Sequence, residues 1–324
     1  MQPLVTIIIP TYNAISTIDS CLDSIGRLNY PKERLEIIIS DAMSTDGTAE
    51  RVLQRGYQVV YDHQKTVLTG RSVGFFAAKG ELIAYTDADC IVEQEWLSRA
   101  IHYFNNPAVG GIGGPVLIPE DESPFGQAAA FVFNLAAISG GTRHVQNCNT
   151  TTEVTDLPGC NCIFRREALS KIFPPKLVLR SDDLWMGSVL HDLKYKLLFT
   201  PEVRMWHYHR QSFRQFFIQM NQYARNRVQA GRWQHTLLKP IHHIIGIALL
   251  VGIMLFFLSI LSHTIFILSI GLILFCIAIL MTLAQIYNKS WKVTLQIPLA
   301  ALVFVIAWPL GYWQERFIPQ KPPL

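Results

Sequence analysis

Short apolar runs alternate with amphipathic segments along the first third of the chain. The runs have the Val- and Ile-rich composition of buried parallel strands and lie at residues 4–10, 34–41, 57–62 and 81–89. Between the runs, apolar residues such as Ile18 and Leu22 recur at helical spacing. This alternation predicts four strands joined by three helices, which is the pattern of a doubly wound α/β sheet.

The pattern changes in the last quarter of the chain, where charge almost disappears. Three apolar spans, at residues 242–261, 265–286 and 293–313, each have about the 20 residues needed to cross a bilayer. The link after the second span carries Lys289 and Lys292, whereas the link after the first carries no Lys or Arg. Because positive loops face the cytoplasm, this pattern predicts three crossings with the N-terminal region in the cytoplasm.

Three segments are apolar or amphipathic and could lie in or at the membrane. Pro298 and Pro309 interrupt the third span, so a two-crossing hairpin followed by a re-entrant segment is an alternative. Residues 124–141 predict a mostly uncharged helix that is too short to span a bilayer and lies either in a core or at the membrane surface. Residues 213–231 are aromatic and basic at helical spacing, which is typical of an amphipathic interfacial helix.

Composition narrows the classes of function. The 324 residues carry a net charge of +4 without a dense block of Lys and Arg, so no nucleic-acid partner is predicted. The six cysteines have no framework spacing, and Cys160 and Cys162 lack a second pair that would complete a zinc site. We expect reduced, structural thiols. The expected division is an α/β domain at 1–209, an interfacial region at 210–239 and a transmembrane region at 240–324.

Acidic and polar residues follow the predicted strands, at the edge where ligands bind in such sheets. These strand ends are residues 10–13, Asp41, and the pair Asp87 and Asp89. Two carboxylates two residues apart can reach one side once the strand bends into a loop. Their oxygens suit Mg²⁺ or Mn²⁺, which would bridge and neutralise a nucleotide diphosphate. Taken alone, Asp87 and Asp89 are either a divalent-cation site or a pair of solvated loop acids, and the motifs around them decide between the two.

The order of these motifs resembles glycosyltransferase family 2. The segments TIIIPTYNA, ISDAMSTDGT and GRSVGFFAAKGELIAYTDADC occur in this order at sheet-like spacing. The resemblance covers residues 4–232 and implies an inverting glycosyltransferase with a GT-A fold, here anchored by C-terminal transmembrane helices. It also implies a nucleotide-sugar donor and Mg²⁺ or Mn²⁺ as the cofactor.

The resemblance assigns roles to individual residues. It implies that the donor is bound by Pro10, Tyr12, Asn13, Asp41, Arg71 and Asp87. The matching metal ligands are Asp89, Asp87 and His207, and the matching acceptor loop is Gly159, Cys160 and Asn161. A carboxylate can accept a hydrogen bond from N3–H of uracil, which favours a UDP-sugar as the donor.

Asp182 and Asp183 form a second acidic pair, at the place where the family usually has Glu-Asp, followed by a helix and then a strand that starts near a Pro such as Pro201. Counted back from Pro201, Asp183 matches the catalytic base of the family, and Asp182 stands where the family usually has Glu. Such a base would take the proton from an acceptor hydroxyl as it attacks the anomeric carbon with inversion. The alternative is that Ser181 or Asp182 caps the helix.

Residues 222–225 partly resemble the QxxRW motif of processive polysaccharide synthases, but Asn226 stands where Trp is expected. Arg225 and Arg227 could hold a donor diphosphate or a lipid phosphate, because guanidinium groups match such oxygens. Alternatively, the two arginines belong to the solvated basic face of an interfacial helix.

Together these features predict an integral membrane hexosyltransferase with a cytoplasmic catalytic domain, at the inner membrane in a bacterium. The expected reaction is metal-dependent transfer from a UDP-sugar to a hydroxyl of a lipid or lipid-linked saccharide, in cell-envelope polysaccharide synthesis. Two alternatives are a polyprenyl-phosphate sugar synthase, whose ionised acceptor needs no base, and a small processive polysaccharide synthase. A receptor that binds a sugar nucleotide without turnover is the alternative from a different class.

Overall fold

In the computed structural model the chain forms two compact units. The structure describes residues 2–135, 149–173, 182–233, 235–287 and 290–319, and the side chains at 182–184, 233 and 236 lie outside this description. The first unit contains the described residues 2–119 and 149–207, and the second contains 120–135 and 208–319. The described part of the first unit thus ends at residue 207, and residues 120–135 group with the second unit.

The described part of the first unit contains eleven strands in two sheets. The strands are β1 Val5–Thr11, β2 Leu35–Asp41, β3 Gln58–Tyr61, β4 Leu82–Tyr85, β5 Cys90–Val92, β6 Val109–Gly113, β7 Val116–Leu117, β8 Thr152–Val154, β9 Cys162–Arg165, β10 Lys196–Phe199 and β11 Met205–His207. The large sheet has the strand order β3-β2-β1-β4-β9-β6-β10-β8, and the small sheet has the order β5-β11-β7.

The parallel half of the large sheet consists of the four strands predicted from the apolar runs. β2 and β4 pair with β1 in parallel, and β3 extends the sheet beyond β2. Ile7, Ile8 and Ile9 are fully buried because a hydrophobic cluster lies on each face of the sheet. Thr11 pairs with Asp41, so the residues that follow β1 and β2 meet at one edge.

The rest of the large sheet is mixed rather than purely doubly wound. β9 runs antiparallel between β4 and β6. In the small sheet β11 pairs antiparallel with β5, which places His207 opposite Cys90. Cys90 directly follows the acidic turn that contains Asp87 and Asp89. This pairing brings a residue from the end of the first unit to the acidic turn.

Twelve helices are described in the two units. In chain order, α1 to α12 are Ile18–Gly26, Thr48–Gln54, Val67–Ala77, Trp96–Ala100, Pro124–Asn134, Arg166–Ser170, Asp182–Asp192, Phe213–Trp233, Pro240–Leu261, His263–Ile286, Trp291–Thr294 and Ile297–Phe317. Helices α1–α4, α6 and α7 belong to the first unit, and α5 and α8–α12 belong to the second. In α1, the apolar residues predicted from helical spacing, including Ile18 and Leu22, face the core.

Replacing Gly74 by Ala is expected to destabilise the first unit. A Cβ at Gly74 of α3 would lie 2.3 Å from Cγ2 of the buried Ile8, so the helix packs on β1 only because this position lacks a side chain. Overpacking of this kind costs about 1–3 kcal/mol, which thermal unfolding of the purified protein would register as a lower Tm. Gly26→Ala is the matched control, because a Cβ there meets nothing within 4 Å. Equal Tm values for the two variants would contradict the prediction.

The second unit is a helical assembly with its own apolar core. Helix α12 packs against α8 and α5, and the core includes Phe131, Phe216, Phe304 and Trp308. Of the two placements expected for the uncharged segment at 124–141, the part described as α5 lies in a core, because seven of its apolar side chains and one glycine are buried. Residues 136–141 of that segment lie outside the described residues.

Three stretches of the second unit are long and apolar enough to cross a membrane. They are Pro240–Leu261, His263–Ile286 and Trp291–Phe317. The first two, α9 and α10, expose nearly all of their apolar side chains, whereas half of the third is buried against other helices of the unit. Exposed apolar surface of this extent requires a membrane or a partner, so the stretches support membrane association.

Replacing Glu315 by Gln is expected to loosen the packing of α12 on α8. The buried Glu315 carboxylate pairs with Arg225 Nε over 3.3 Å and with Arg232 over 3.1 Å. Breaking a buried ion pair leaves uncompensated charge and therefore lowers stability. The cost here is limited to about 3 kcal/mol, because water screens the part-exposed Arg232. Thermal unfolding in detergent should show a clear decrease in Tm, and no decrease for Glu120→Gln, which alters an exposed acid of the same unit. A Tm equal to that of the wild type would contradict this role for Glu315.

Candidate active site

The loop after β1 is held against the loop after β2 by Asn13. The Asn13 N–H donates to the Ser44 hydroxyl over 2.9 Å, and Asn13 Oδ1 accepts from the Thr45 N–H over 2.9 Å. Asn13 has a φ of 50°, a left-handed conformation that Asn adopts more readily than most residues. The adjacent residue Tyr12 is 58% exposed, and the Lys65 ammonium lies 5.8 Å from the centroid of its ring. An exposed ring at a strand end is available to stack on a base.

Asp41 is buried at the end of β2 and accepts three hydrogen bonds. The hydroxyls of Thr11 and Ser44 donate to Oδ1 over 3.0 Å and 2.6 Å, and the Ser44 N–H donates to Oδ2 over 2.8 Å. A carboxylate can accept about four hydrogen bonds, so Oδ2 retains capacity for one further donor. Asp41 therefore joins the end of β1 to the loop after β2, in addition to any contact with a ligand.

Asp62 follows β3 at the same edge and was not among the predicted site residues. Its Oδ2 accepts from the Thr69 hydroxyl over 2.7 Å. A Cβ at Gly70 would lie 3.3 Å from Pro10 Cβ and 3.8 Å from Asp62 Oδ2, so the first turn of α3 approaches the ends of β1 and β3 closely. The signal was present in the sequence, because the apolar run at 57–62 also ends in an aspartate.

Arg71 connects the acidic turn to the loop before β9. Its side chain is only 2% exposed, and its Nη2 donates to the Gly159 carbonyl over 2.7 Å and lies 3.7 Å from Asp87 Oδ1. The guanidinium also stacks over Tyr85, 5.2 Å from the ring centroid. A Cβ at Gly159 would lie 2.9 Å from Arg71 Nη2, so a side chain at this position would displace the guanidinium. The structure thus brings three predicted site residues, Arg71, Asp87 and Gly159, together.

Asp89 and His207 meet at the other side of the acidic turn. Asp89 Oδ1 lies 3.2 Å from His207 Nε2, and both side chains are mostly buried. Burial alone would lower the pKa of His207, but the Asp89 carboxylate raises it to about 9. Two ligands of one divalent cation, bonded at about 2.0–2.3 Å, lie roughly 3 Å apart. The Asp89–His207 distance fits that requirement, and Asp87 offers a second carboxylate within the same turn.

Two cysteines accompany His207 beside the acidic turn. The ligand atoms of Cys90, Cys160 and His207 all lie within 4.8 Å of one another. The hydrogen bond with Cys90 lowers the pKa of the Cys160 thiol, whereas burial raises the pKa of Cys90. The cysteines that the structure describes are free thiols. Cys90 and Cys160 are far apart in the sequence, so cysteine spacing does not reveal that they are neighbours.

Asn161, predicted for acceptor binding, is fully buried and engaged within the protein. Its Oδ1 accepts from the Trp96 indole N–H over 2.8 Å. Its amide group donates to the carbonyls of Pro115 and Val203 over 3.1 Å and 2.9 Å. Both amide hydrogens are therefore used, and the side chain positions the loop. The other two members of the predicted acceptor loop, Gly159 and Cys160, are partly exposed.

Asp182 and Asp183 lie in the first turn of α7, and their side chains lie outside the described residues. Gly187 is one turn beyond Asp183. A Cβ at Gly187 would lie 2.5 Å from the Thr155 carbonyl oxygen, so α7 runs directly against the segment that leads to Gly159. Gly187 also lines a cavity together with Arg71 and Gly159. The helix that carries the two aspartates therefore borders the same cavity as Arg71.

The two arginines predicted to contact phosphate lie on α8 in the second unit. Arg225 pairs with Glu315, and Arg227 donates to the Leu237 carbonyl over 3.3 Å. These intramolecular partners give both side chains a role in packing within the unit. Phosphate binding by Arg225 and Arg227 stays a prediction.

The polar residues at the ends of the parallel strands lie where α/β enzymes bind their ligands. Residues 6–173 match the family model described as "Glycosyl transferase family 2", which covers more than half of the chain. The chain therefore belongs to this family, as the order of its motifs predicted.

Individual relatives agree with this assignment. Glycosyltransferase AglE of Haloferax volcanii is 28% identical over 62% of this chain and 66% of its own length. A Methanococcus voltae protein is 28% identical over 43% of this chain and 46% of its own length, and its name is dolichyl N-acetyl-alpha-D-glucosaminyl phosphate 3-beta-D-2,3-diacetamido-2,3-dideoxy-beta-D-glucuronosyltransferase. The chain thus spans less than two thirds of the length of either relative.

A solved structure has the same fold. The mannosyltransferase PcManGT of Pyrobaculum calidifontis, in complex with GDP-Man and Mn²⁺, aligns with a TM-score of 0.61. The alignment covers 95% of this chain and 87% of that chain at 19% identity. The likeness confirms the predicted GT-A-like α/β fold followed by long apolar C-terminal helices.

Proposed function

We propose that this glycosyltransferase moves a sugar, with inversion, from a UDP-sugar to a hydroxyl of a lipid-linked acceptor at the cytoplasmic face of a membrane. The observation that carries the proposal is the cluster of Arg71, Asp87, Asp89 and His207 at the strand ends of the first unit. The same chain carries three helices that are long and apolar enough to cross a membrane. A cytoplasmic catalytic unit is supported by Lys289 and Lys292, which lie between the second and third predicted spans.

The residues of the acidic turn fit a divalent cation. Asp87, Asp89 and His207 would hold Mg²⁺ or Mn²⁺, since two carboxylates and an imidazole suit either ion and Asp89 lies 3.2 Å from His207. When bound, such a cation acts as a Lewis acid that offsets charge on the leaving diphosphate. The PcManGT complex contains Mn²⁺, which supports a cation at this turn.

Donor recognition is proposed for the residues that follow strands β1, β2 and β3. Tyr12 offers an exposed ring for stacking, and Lys65 beside it offers a cation for phosphate oxygens. Asp41 Oδ2 can accept one further hydrogen bond, which suits N3–H of uracil. Arg71, held by Gly159 and Asp87, presents its charge next to the acidic turn. Pro10 packs closely against Gly70 of α3. Asn13 holds the same loop through its hydrogen bonds with Ser44 and Thr45.

The acceptor side rests on the loop at Gly159 and Cys160 and on Asp183 of α7. Asp183 would accept the proton of the attacking hydroxyl, and Asp182 would support the same helix turn. A lipid-linked acceptor is supported by the apolar helices and by the name of the Methanococcus voltae relative, which includes a dolichyl phosphate-linked sugar.

The proposal is tested with membranes that contain the protein, a lipid extract and a panel of labelled sugar nucleotides with Mn²⁺ or Mg²⁺. We expect label from a UDP-sugar to appear in an organic-soluble product of defined size, and to disappear when the cation is chelated. Membranes with Asp89→Asn are the matched control. Transfer only to water-soluble acceptors, or growth of long polymer chains, would overturn the proposal.

Replacing Arg71 by Lys is expected to weaken donor binding more than turnover. Lys is a point charge and cannot reproduce the guanidinium fork that contacts Gly159 and faces Asp87. Loss of one charged hydrogen bond, about 1.5–3 kcal/mol, corresponds to a roughly 10- to 100-fold rise in the KM for the donor. Initial rates against donor concentration give the KM, with Arg99→Lys as the control because Arg99 is an exposed partner of Glu93. An unchanged KM would contradict the assigned role.

A further inference from the structure

The cluster of Cys90, Cys160 and His207 contains two thiols that the proposed cation site at Asp87, Asp89 and His207 does not use. Cys90 begins β5 and His207 ends β11, and the pairing of these strands places the two residues opposite each other. Cys160 enters from the loop before β9. The three ligand atoms lie within 4.8 Å of one another. Three separate elements therefore converge on one point, where a cation would have ligands on several sides.

The donor set differs from the one that suits the catalytic cation. Thiolate and imidazole ligands favour Zn²⁺ and similar thiophilic ions, whereas Mg²⁺ and Mn²⁺ prefer oxygen. With bonds of about 2.3 Å to sulfur and 2.0–2.1 Å to nitrogen, ligand atoms around a tetrahedral Zn²⁺ lie roughly 3.3–3.8 Å apart. Ligand atoms no more than 4.8 Å apart exceed those separations by at most roughly 1–1.5 Å.

Asp89 links this cluster to the acidic turn, because its Oδ1 lies 3.2 Å from His207 Nε2. We infer that Cys90, Cys160 and His207 form a binding site for a thiophilic divalent cation such as Zn²⁺, and that this site overlaps the catalytic cation site at His207. A neutral imidazole has one lone pair for a metal, so His207 coordinates one ion at a time. Zn²⁺ bound by the thiols would therefore inhibit transfer, a consequence that rests on the proposed function.

The site itself is tested without measuring transfer. Full-length protein in detergent, stripped of metal and kept reduced, is titrated with Co²⁺, which gives a thiolate charge-transfer absorption when cysteine binds it. We expect saturation at one Co²⁺ per chain and displacement by Zn²⁺. Cys90→Ala and Cys160→Ala should each weaken Co²⁺ binding by more than about tenfold. Cys276→Ala is the matched control, because it removes an exposed thiol of α10 outside the cluster. A wild-type titration without charge-transfer absorption, or an unchanged titration in both cluster variants, would overturn the site.

The overlap is tested by Zn²⁺ inhibition of Mn²⁺-supported transfer. The rate of each variant with Zn²⁺ is compared with its own rate without Zn²⁺. A change in the basal rate therefore does not affect the Zn²⁺ concentration for half inhibition. The Zn²⁺ concentration for half inhibition should rise more than about tenfold in Cys90→Ala and should not change in Cys276→Ala. Equal Zn²⁺ sensitivity of Cys90→Ala and the wild type would overturn the overlap. If no donor supports transfer, the proposed function fails while the Co²⁺ titration still decides the site, so the two failures are distinguishable.

Discussion

Asparagine in place of Asp89 is expected to reduce the transfer rate about 10²- to 10³-fold while leaving the fold intact. Asp89 lies in the turn between β4 and β5, with its Oδ1 3.2 Å from His207 Nε2. Asn has the same shape but lacks the negative charge that would hold a divalent cation against the donor diphosphate. A bound cation contributes several kcal/mol to transition-state stabilisation, and each 1.36 kcal/mol corresponds to about a tenfold change in rate.

The measurement is kcat at saturating donor over a Mn²⁺ titration. A weakened ligand set should show both a lower maximum and a higher Mn²⁺ concentration for half activation. Glu33→Gln is the control, because it neutralises an exposed acid in the first unit away from the turn. A kcat within a few-fold of the wild type would show that Asp89 does not carry the proposed charge, and the cation would then have to be held elsewhere.

The strand-end residues could be predicted because they depend on local patterns. Val- and Ile-rich runs bounded by polar residues identified β1 to β4, and the parallel register of β1 and β2 then placed Thr11 beside Asp41. The acidic turn followed from the position of Asp87 and Asp89 after β4. Each of these inferences needs only a few consecutive residues and a general rule for where ligands bind in a parallel sheet.

The positions of Cys90, Cys160 and Asn161 depend on contacts between residues far apart in the chain. Nothing local to Cys160 indicates that it lies beside Cys90, because this requires the pairing of β5 with β11 and the antiparallel insertion of β9. Asn161 shows the same limit, since three buried partners use its side chain for positioning. The basic residues of α8 also find partners that periodicity cannot reveal, with Arg225 paired to Glu315. Charge pattern predicts a surface, whereas tertiary packing decides which charges become buried pairs.

Asparagine in place of Asp183 is expected to distinguish the proposed reaction from its nearest alternative. If the acceptor is a hydroxyl, the variant should lose about 10²–10⁴-fold in kcat, because general-base help contributes that much and an amide cannot take the proton. If the acceptor is a polyprenyl phosphate, the nucleophile is already ionised and the rate should change little. Asp183 is in the first turn of α7, one turn before Gly187 at the cavity lined by Arg71 and Gly159.

The assay compares the two acceptor types with one labelled donor and the same membrane preparation. Asp192→Asn, at the other end of α7, controls for the loss of a carboxylate from this helix. The Asp182→Asn variant tests which of the two aspartates is the base. Only substitution of the residue that contacts the hydroxyl should change the pH profile of kcat. Removing the base should eliminate the acidic limb of that profile, whereas a loss of helix capping would lower the rate equally at every pH. Full activity of Asp183→Asn on a hydroxyl acceptor would refute the base assignment and would favour an acceptor that brings its own negative charge.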